Sequence, residues 1–524
     1  MLDDLLDFDD DDDDFLLEGA VVGIDLGTTN SVVSIIVDGE AVVVGDSQGN
    51  VLHPSTVAWM PTGERIVGVQ ARMRRVVDPE NTVFSAKRLI GQAFTSPTVS
   101  KVMTNLPYKI HQGEREEVLI ETRDGNITVP QVSSHVLTHL KALAETALGQ
   151  RVAYCVVTVP ANFSDAQRAA TRRAADLAGM EVLRVLNEPT AAAIAYGKGR
   201  RIHQRIAVFD LGGGTFDVSV LAVRDNLYEV VATGGDSFLG GDDVDASVFA
   251  WLAKLFLRKH RIDPEADPLA KARLLMAAEQ IKHALSDEDE IEGTLNEVTR
   301  GAGGAPLGLD FKLTRAQLNE MIDDLSRATM ETTDKVLKEA GLTPDSIDEV
   351  ILVGGSTRIP LIQQLVAEKF GRQPSSQLDP MQVVAIGAGI QAERMVNPKD
   401  DQGTLLDVTP HSLRIATVRG YSKVLIAKNS TVPAEGTSTF FAASDNQERV
   451  VLRICQGEEE QFEDNVPLGE LALEELPGGQ RGEVGIQVAF TIDADGILQV
   501  SAKNTKSKTA THATLSLVGS QEER

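Results

Sequence analysis

Two copies of one short pattern, Asp25-Leu26-Gly27-Thr28-Thr29-Asn30 and Asp210-Leu211-Gly212-Gly213-Gly214-Thr215-Phe216-Asp217, each follow an apolar, strand-like run. In each copy a carboxylate at a strand end can reach a hydrated cation and glycines let the backbone approach a ligand. A threonine hydroxyl and the loop amides can then face phosphate oxygens. One copy reads equally well as an Asp-Gly hairpin turn. Two copies point to a clamp around phosphates. Gly354-Gly355-Ser356-Thr357-Arg358, after a strand expected at 350–353, offers tight backbone and a guanidinium for a sugar and base. A helix expected over 268–285 puts Glu279, Lys282 and Ser286 on one face at spacings of three and four.

Other chemistries have weaker support. No Gly-x4-Gly-Lys-Ser/Thr stretch occurs, which argues against a P-loop enzyme. Gly387-Ala388-Gly389 imitates half a dinucleotide fingerprint, but no second strand carrying an acid follows, so these glycines read as close helix packing. The nine histidines show no metal-ligand spacing.

The elements that must hold these residues alternate between strands and helices from Ala20 to about Val396, the organisation of α/β layers. Ser164-Asp165-Ala166-Gln167 reads as a capping box opening a helix that closes near Gly179, after a strand ending at Val159 and Pro160. Residues 397–407 are polar and contain Pro and Gly, as an interdomain linker would. From 408 to 518, short alternating runs such as 423–427, 450–454 and 486–490 predict an antiparallel β domain, with a hairpin over 490–497.

At 524 residues the chain needs two or three domains. No apolar run approaches the length of a bilayer span, and the N-terminus is acidic rather than signal-like. Cys155 and Cys455 imply no disulfide framework, which suits a reducing cytoplasm. The net charge of −27 opposes nonspecific binding to nucleic acid or anionic membrane. Residues 1–18 hold nine Asp and one Glu without a base, so like-charge repulsion predicts a disordered tail over 1–19. Its interspersed Leu and Phe would suit a basic, apolar partner, although a solvated tail without function is the simpler reading.

Taken together, the two loops, Asn187-Glu188-Pro189-Thr190-Ala191-Ala192-Ala193, the segment 351–358 and Leu406-Asp407-Val408-Thr409-Pro410 resemble the DnaK-type heat-shock chaperones, the seventy-kilodalton class, over nearly the whole chain. The resemblance implies an actin-like ATPase domain with a duplicated ribonuclease H-like fold, followed by a β-sandwich that grips extended apolar peptides of unfolded proteins. It implies ATP and ADP as ligands with Mg²⁺ and K⁺, and ATP hydrolysis that controls peptide exchange. It assigns Asp25, Gly27, Thr28 and Thr29 to one phosphate loop, and Asp210, Gly212, Gly213, Gly214, Thr215 and Asp217 to the other. Glu188 would position the attacking water and, with Asp25 and Asp210, the metal. Glu279, Lys282, Ser286, Gly354, Gly355, Ser356 and Arg358 would hold adenosine. Pro160, Arg168, Arg184 and Asp407 would couple the domains. Ile415, Val418, Phe440, Ala443, Val450, Leu452 and Ile486 would line the peptide pocket, although alternation alone would make them core. The protein is expected to be a cytoplasmic monomer, with a J-domain protein and a nucleotide-exchange factor as candidate partners.

Departures from the family qualify this. The family's γ-phosphate lysine is expected at Arg72, no lysine precedes Lys87, and a planar guanidinium is a poor substitute, which predicts slowed hydrolysis. Gln402-Gly403-Thr404 replaces half of the family's apolar linker, which predicts weak coupling. Asn162 and Ser164 break the J-domain pattern, and Met381 stands where an acid is usual. The stub at 519–524 predicts a lidless peptide site with fast release. The alternative is an ATP-binding scaffold that hydrolyses little and recruits a dedicated partner.

Overall fold

A computed structural model describes residues 18–104, 106–198, 200, 203–225, 227–397, 404–474, 476–505 and 510–511. The acidic run, the first half of the linker and the expected stub lie outside these residues.

Two sheets repeat one plan. In the first, the strands Ala20–Asp25, Asn30–Val37 and Glu40–Val43 run antiparallel, and Val152–Val159 and Glu181–Asn187 add in parallel beside Ala20–Asp25. In the second, His203–Leu211, Phe216–Arg224 and Leu227–Asp236 run antiparallel, and Glu349–Val353 adds in parallel beside His203–Leu211. Each phosphate loop is thus the hairpin connection between the first two strands of its sheet. The reading as a turn was right about local shape, and the duplication lies in the whole sheet.

The central strands are buried on both faces, which is why they read as continuous apolar runs rather than alternations; Val22, Ile24, Val32 and Val33 are all essentially inaccessible. Two helices, Glu188–Gly197 and Val383–Val396, pack against each other and help form the core between the sheets. A Cβ at Gly387 would fall 1.8 Å from the Ala191 carbonyl oxygen, so helix contact explains this glycine. Ser164 caps the helix Asp165–Leu177 with the expected reciprocal Gln167 bond. The helix expected at 268–285 runs Pro268–Asp287 and includes Ser286.

The C-terminal part consists of two four-stranded antiparallel sheets around one core. One orders Ser422–Ile426, Leu413–Ala416, Val450–Gln456 and Val466–Leu473; the other orders Ala434–Phe441, Gly485–Ile492, Leu498–Asn504 and Ala510–Thr511. The linker is more than a spacer. Its second half forms the strand Thr404–Val408, which pairs in parallel with Leu227–Asp236 and antiparallel with Thr431–Val432, so one sheet crosses from the first part into the second. Leu405 packs on the central core despite the shortened apolar run.

The loop between Gly485–Ile492 and Leu498–Asn504 completes the contact between the two parts. The Asp495 carboxylate pairs with Arg172 at 2.7 Å and accepts the Val185 N–H, and Arg184 donates to the Ala494 carbonyl at 3.0 Å. The Leu498 N–H donates to Asp165 Oδ1 at 3.1 Å.

Candidate functional site

The two hairpin loops converge on one cleft of about 2180 Å³, including its open mouth. The first loop is braced by Ser55, whose hydroxyl donates to the Gly27 carbonyl at 2.8 Å. The second closes on itself through Gly212 N–H to the Thr215 carbonyl, and Asp242 N–H caps the Gly213 carbonyl. The loops touch so closely that a Cβ at Gly213 would lie 1.9 Å from Thr29 Oγ1.

At the floor of the cleft, Asp25 ends its strand, Asp210 is the second-last residue of its own, and Glu188 opens the helix Glu188–Gly197. Lys87 comes from the short turn Ala86–Arg88 and places Nζ 2.7 Å from Glu188 Oε1, both side chains buried. Arg72, the cation expected here from the sequence, lines the same cleft but is not part of this pair. That guanidinium instead pairs with Glu279 at 2.9 Å, joined by Arg75, which also lies over the Phe84 ring. The cation beside the floor carboxylates is therefore a lysine. Its sequence signal was a Lys-Arg pair embedded in the apolar run from Phe84 to Ile90, where solvated charges do not belong.

Burial raises Asp25 to about 7, with Glu188 pushing further and Lys87 and Thr158 opposing. Asp210 lies well above the usual carboxylate range through burial and then repulsion from Glu188, Asp217 and Asp25. The floor therefore holds more acid than Lys87 neutralises, an arrangement that a divalent cation would relieve. Among the described residues no three acids, histidines or cysteines converge to ligate an ion directly. A Mg²⁺ ion would fit here with water and phosphate ligands, and Asp25, Glu188 and Asp210 would hold it through those waters.

Glu279, Lys282, Ser286, Gly354, Gly355, Ser356 and Arg358 all line the same cleft, and so do Thr28, Thr29 and Thr215. Lys282 is tied to Asp245 at 2.9 Å and Ser356 donates to the Gly212 carbonyl at 2.8 Å, linking this rim to the second loop. Burial pushes Glu279 up, but Arg75, Arg72 and Lys282 together hold it below its usual range. Sequence reasoning missed His283, which lines the cleft one residue after Lys282. Gly214 and Asp217 do not line it; Gly214 faces Thr28 and Arg88, and Asp217 is held by Asn162.

The coupling set is contiguous. Arg168 donates to the Ala161 carbonyl and to Asn187 Oδ1 at 2.7 Å, and Asn187 Nδ2 donates to Asp407 Oδ2 at 2.6 Å. Pro160 accepts the Phe163 N–H, and Arg184 reaches the loop carrying Asp495. The peptide set divides. Ile415, Leu452 and Ile486 are inside the core, Phe440 and Val450 pack at its edge, and Ala443 is exposed with Val418, which is 72% accessible.

A duplicated α/β unit with paired phosphate loops, joined to two packed antiparallel sheets, defines a class of nucleotide-binding protein with an appended β domain. The chain matches the family described as Hsp70 protein over residues 21–523, and it belongs to that family. Hsp70 proteins are ATP-dependent chaperones that bind ATP and ADP with Mg²⁺. No described helix is long and apolar enough to cross a membrane.

Proposed function

We propose that this chain hydrolyses ATP in the cleft and uses it to control the grip of its β domain on extended apolar peptides. The observation that carries this reading is the Lys87–Glu188 pair between the two phosphate loops. Lys87 would hold the terminal phosphate and Glu188 would orient the attacking water, while Thr28, Thr29 and Thr215 hold phosphate oxygens. Mg²⁺ would neutralise developing phosphate charge. With Lys87 beside Glu188, a cation stands at the floor of the cleft whatever Arg72 contributes, which supports the ATPase reading over the scaffold alternative. In the β domain, main-chain hydrogen bonds would hold the peptide backbone, and apolar side chains near Val418, Phe440 and Val450 would select a Leu-like residue. K⁺, a J-domain protein and a nucleotide-exchange factor complete the proposed set.

Single-turnover ATP hydrolysis, with Mg²⁺ and with K⁺ or Na⁺, tests this in the presence and absence of an extended Leu-rich peptide. Turnover stimulated by peptide supports the motor. Tight ATP binding without turnover would return the reading to a scaffold.

A further inference from the structure

Ser85 opens the short turn Ala86–Arg88 that carries Lys87, and its backbone lies in the left-handed region, with φ 52° and ψ 24°. Residues with a side chain rarely adopt this conformation, so it persists only where the surroundings hold it. On one flank the Tyr108 hydroxyl donates to the Phe84 carbonyl at 2.6 Å; on the other, Leu89 and Ile90 are buried in the core around the first sheet. The turn between them is tied to a different part of the molecule. Ser85 makes no capping bond within its own turn, and its hydroxyl donates to Asp242 Oδ2 at 2.8 Å. Arg88 Nη2 donates to Asp243 Oδ2 at 2.6 Å.

Both acids stand in the first turn of the helix Gly241–His260, whose Val244 and Val248 belong to the core around the second sheet. The same helix start holds the second phosphate loop. The Gly241 N–H donates to the Gly212 carbonyl at 2.9 Å, and the Asp242 N–H donates to the Gly213 carbonyl at 2.7 Å. Asp242 therefore holds that loop with its backbone and the Lys87 turn with its carboxylate. Neither Ser85 nor Asp242 lines the cleft that contains Lys87 and Glu188.

We propose that Ser85 and Asp242 are positioning residues that set Lys87 against the second phosphate loop for hydrolysis. Lys87 and that loop come from opposite halves of the fold, and a phosphate between them must meet both at a fixed separation. The ammonium sits on a flexible stem, so its placement is only as good as that of the backbone beneath it. The Ser85–Asp242 bond fixes that backbone, and a carboxylate is a stronger acceptor than a neutral oxygen. Without the hydroxyl, the left-handed strain at residue 85 is no longer opposed, and the turn can relax away from the floor.

The inference rests on the ATPase reading, and full-length protein separates the two. Single-turnover hydrolysis and nucleotide Kd are measured for wild type, Ser85→Ala, Ser85→Gly, Asp242→Ala, Lys87→Ala and the Ser85→Ala/Lys87→Ala double variant. Ser85→Ala and Asp242→Ala should each slow hydrolysis about tenfold, the scale for one hydrogen bond to a charged group, with Kd within about twofold of wild type. Ser85→Gly accepts the left-handed turn without strain but lacks the hydroxyl, so it should be as slow as Ser85→Ala. In the Lys87→Ala background, Ser85→Ala should change the rate by less than about twofold, because its effect passes through Lys87. An equal tenfold loss in both backgrounds would overturn the proposal, as would loss of nucleotide binding in both Ser85→Ala and Asp242→Ala. A wild-type rate in Ser85→Gly would overturn the role of the hydroxyl. Turnover in wild type that Ser85→Ala and Asp242→Ala leave unchanged would defeat this inference alone, whereas absence of turnover in wild type would defeat the ATPase reading itself.

Discussion

Lys87 Nζ sits 2.7 Å from Glu188 Oε1 at the floor of the cleft, while Arg72, the nearest earlier candidate for a cation, is bound to Glu279 at the cleft wall. The two cations therefore have different tasks. Lys87 is held by Glu188 among the floor carboxylates, and Arg72 ties one wall of the cleft to the other through Glu279.

Lys87→Ala should lower single-turnover hydrolysis by about 10²- to 10³-fold, the scale for losing one preorganised electrostatic contact. Arg72→Lys should leave the hydrolysis rate unchanged, and Arg72→Ala should speed release of a fluorescent ADP analogue. Equal loss of hydrolysis in Lys87→Ala and Arg72→Ala would contradict this division.

The crossing strand predicts that ATP reaches the β domain. Peptide dissociation should accelerate on ATP addition in wild type, and Leu405→Asp should abolish that response by placing a charge where Leu405 packs on the central core. Stopped-flow release of a labelled peptide measures both. An ATP response that survives Leu405→Asp would show that the strand does not carry the signal.

Groove and core in the β domain can be separated by mutation. Ile415 is fully buried, so Ile415→Ala should cost about 2–5 kcal/mol of β-domain stability. Val418 is exposed, so Val418→Asp should change stability by less than about 0.5 kcal/mol and still weaken peptide binding. Urea melts and peptide titrations distinguish these outcomes, and unchanged peptide affinity in Val418→Asp would remove that residue from the groove.

Docking of the two parts should depend on pH through Asp165. An exposed aspartate titrates near 4, but burial against the β-domain hairpin raises this carboxyl to about 7, with Arg168 and the Leu498 N–H opposing and Asp493 assisting. The docked state binds a proton that the separated state releases, so this contribution favours docking in mild acid and is lost as pH rises through about 7. Asp407 and Asp495 are also raised, chiefly by burial, despite Arg168, Arg172 and Arg184 nearby. His411 is lowered by burial and acts in the opposite sense. Asp165→Asn should flatten the pH dependence of limited proteolysis at the linker between pH 5.5 and 8. A profile unchanged from wild type would assign that dependence to the other groups.

Local pattern carried much of this molecule. The Ser164 capping box, the glycine packing at Gly387 and the shift to short strands after residue 407 were legible because neighbours within a few residues specify them. The duplicated Asp-Gly-Thr loops were legible for the same reason, since a tight connection between two paired strands imposes small residues at fixed spacing. Lys87 was missed because its partner, Glu188, is remote in sequence.

Sequence was enough to locate the two loops and the change from α/β layers to short antiparallel strands, because both are written in contiguous residues. Folding decided which cation meets the carboxylates, which β-domain apolar residues are core, and that half of the linker becomes a strand. Those outcomes depend on which distant surfaces share a low-dielectric interior and which backbone groups pair across it, and no local spacing encodes either.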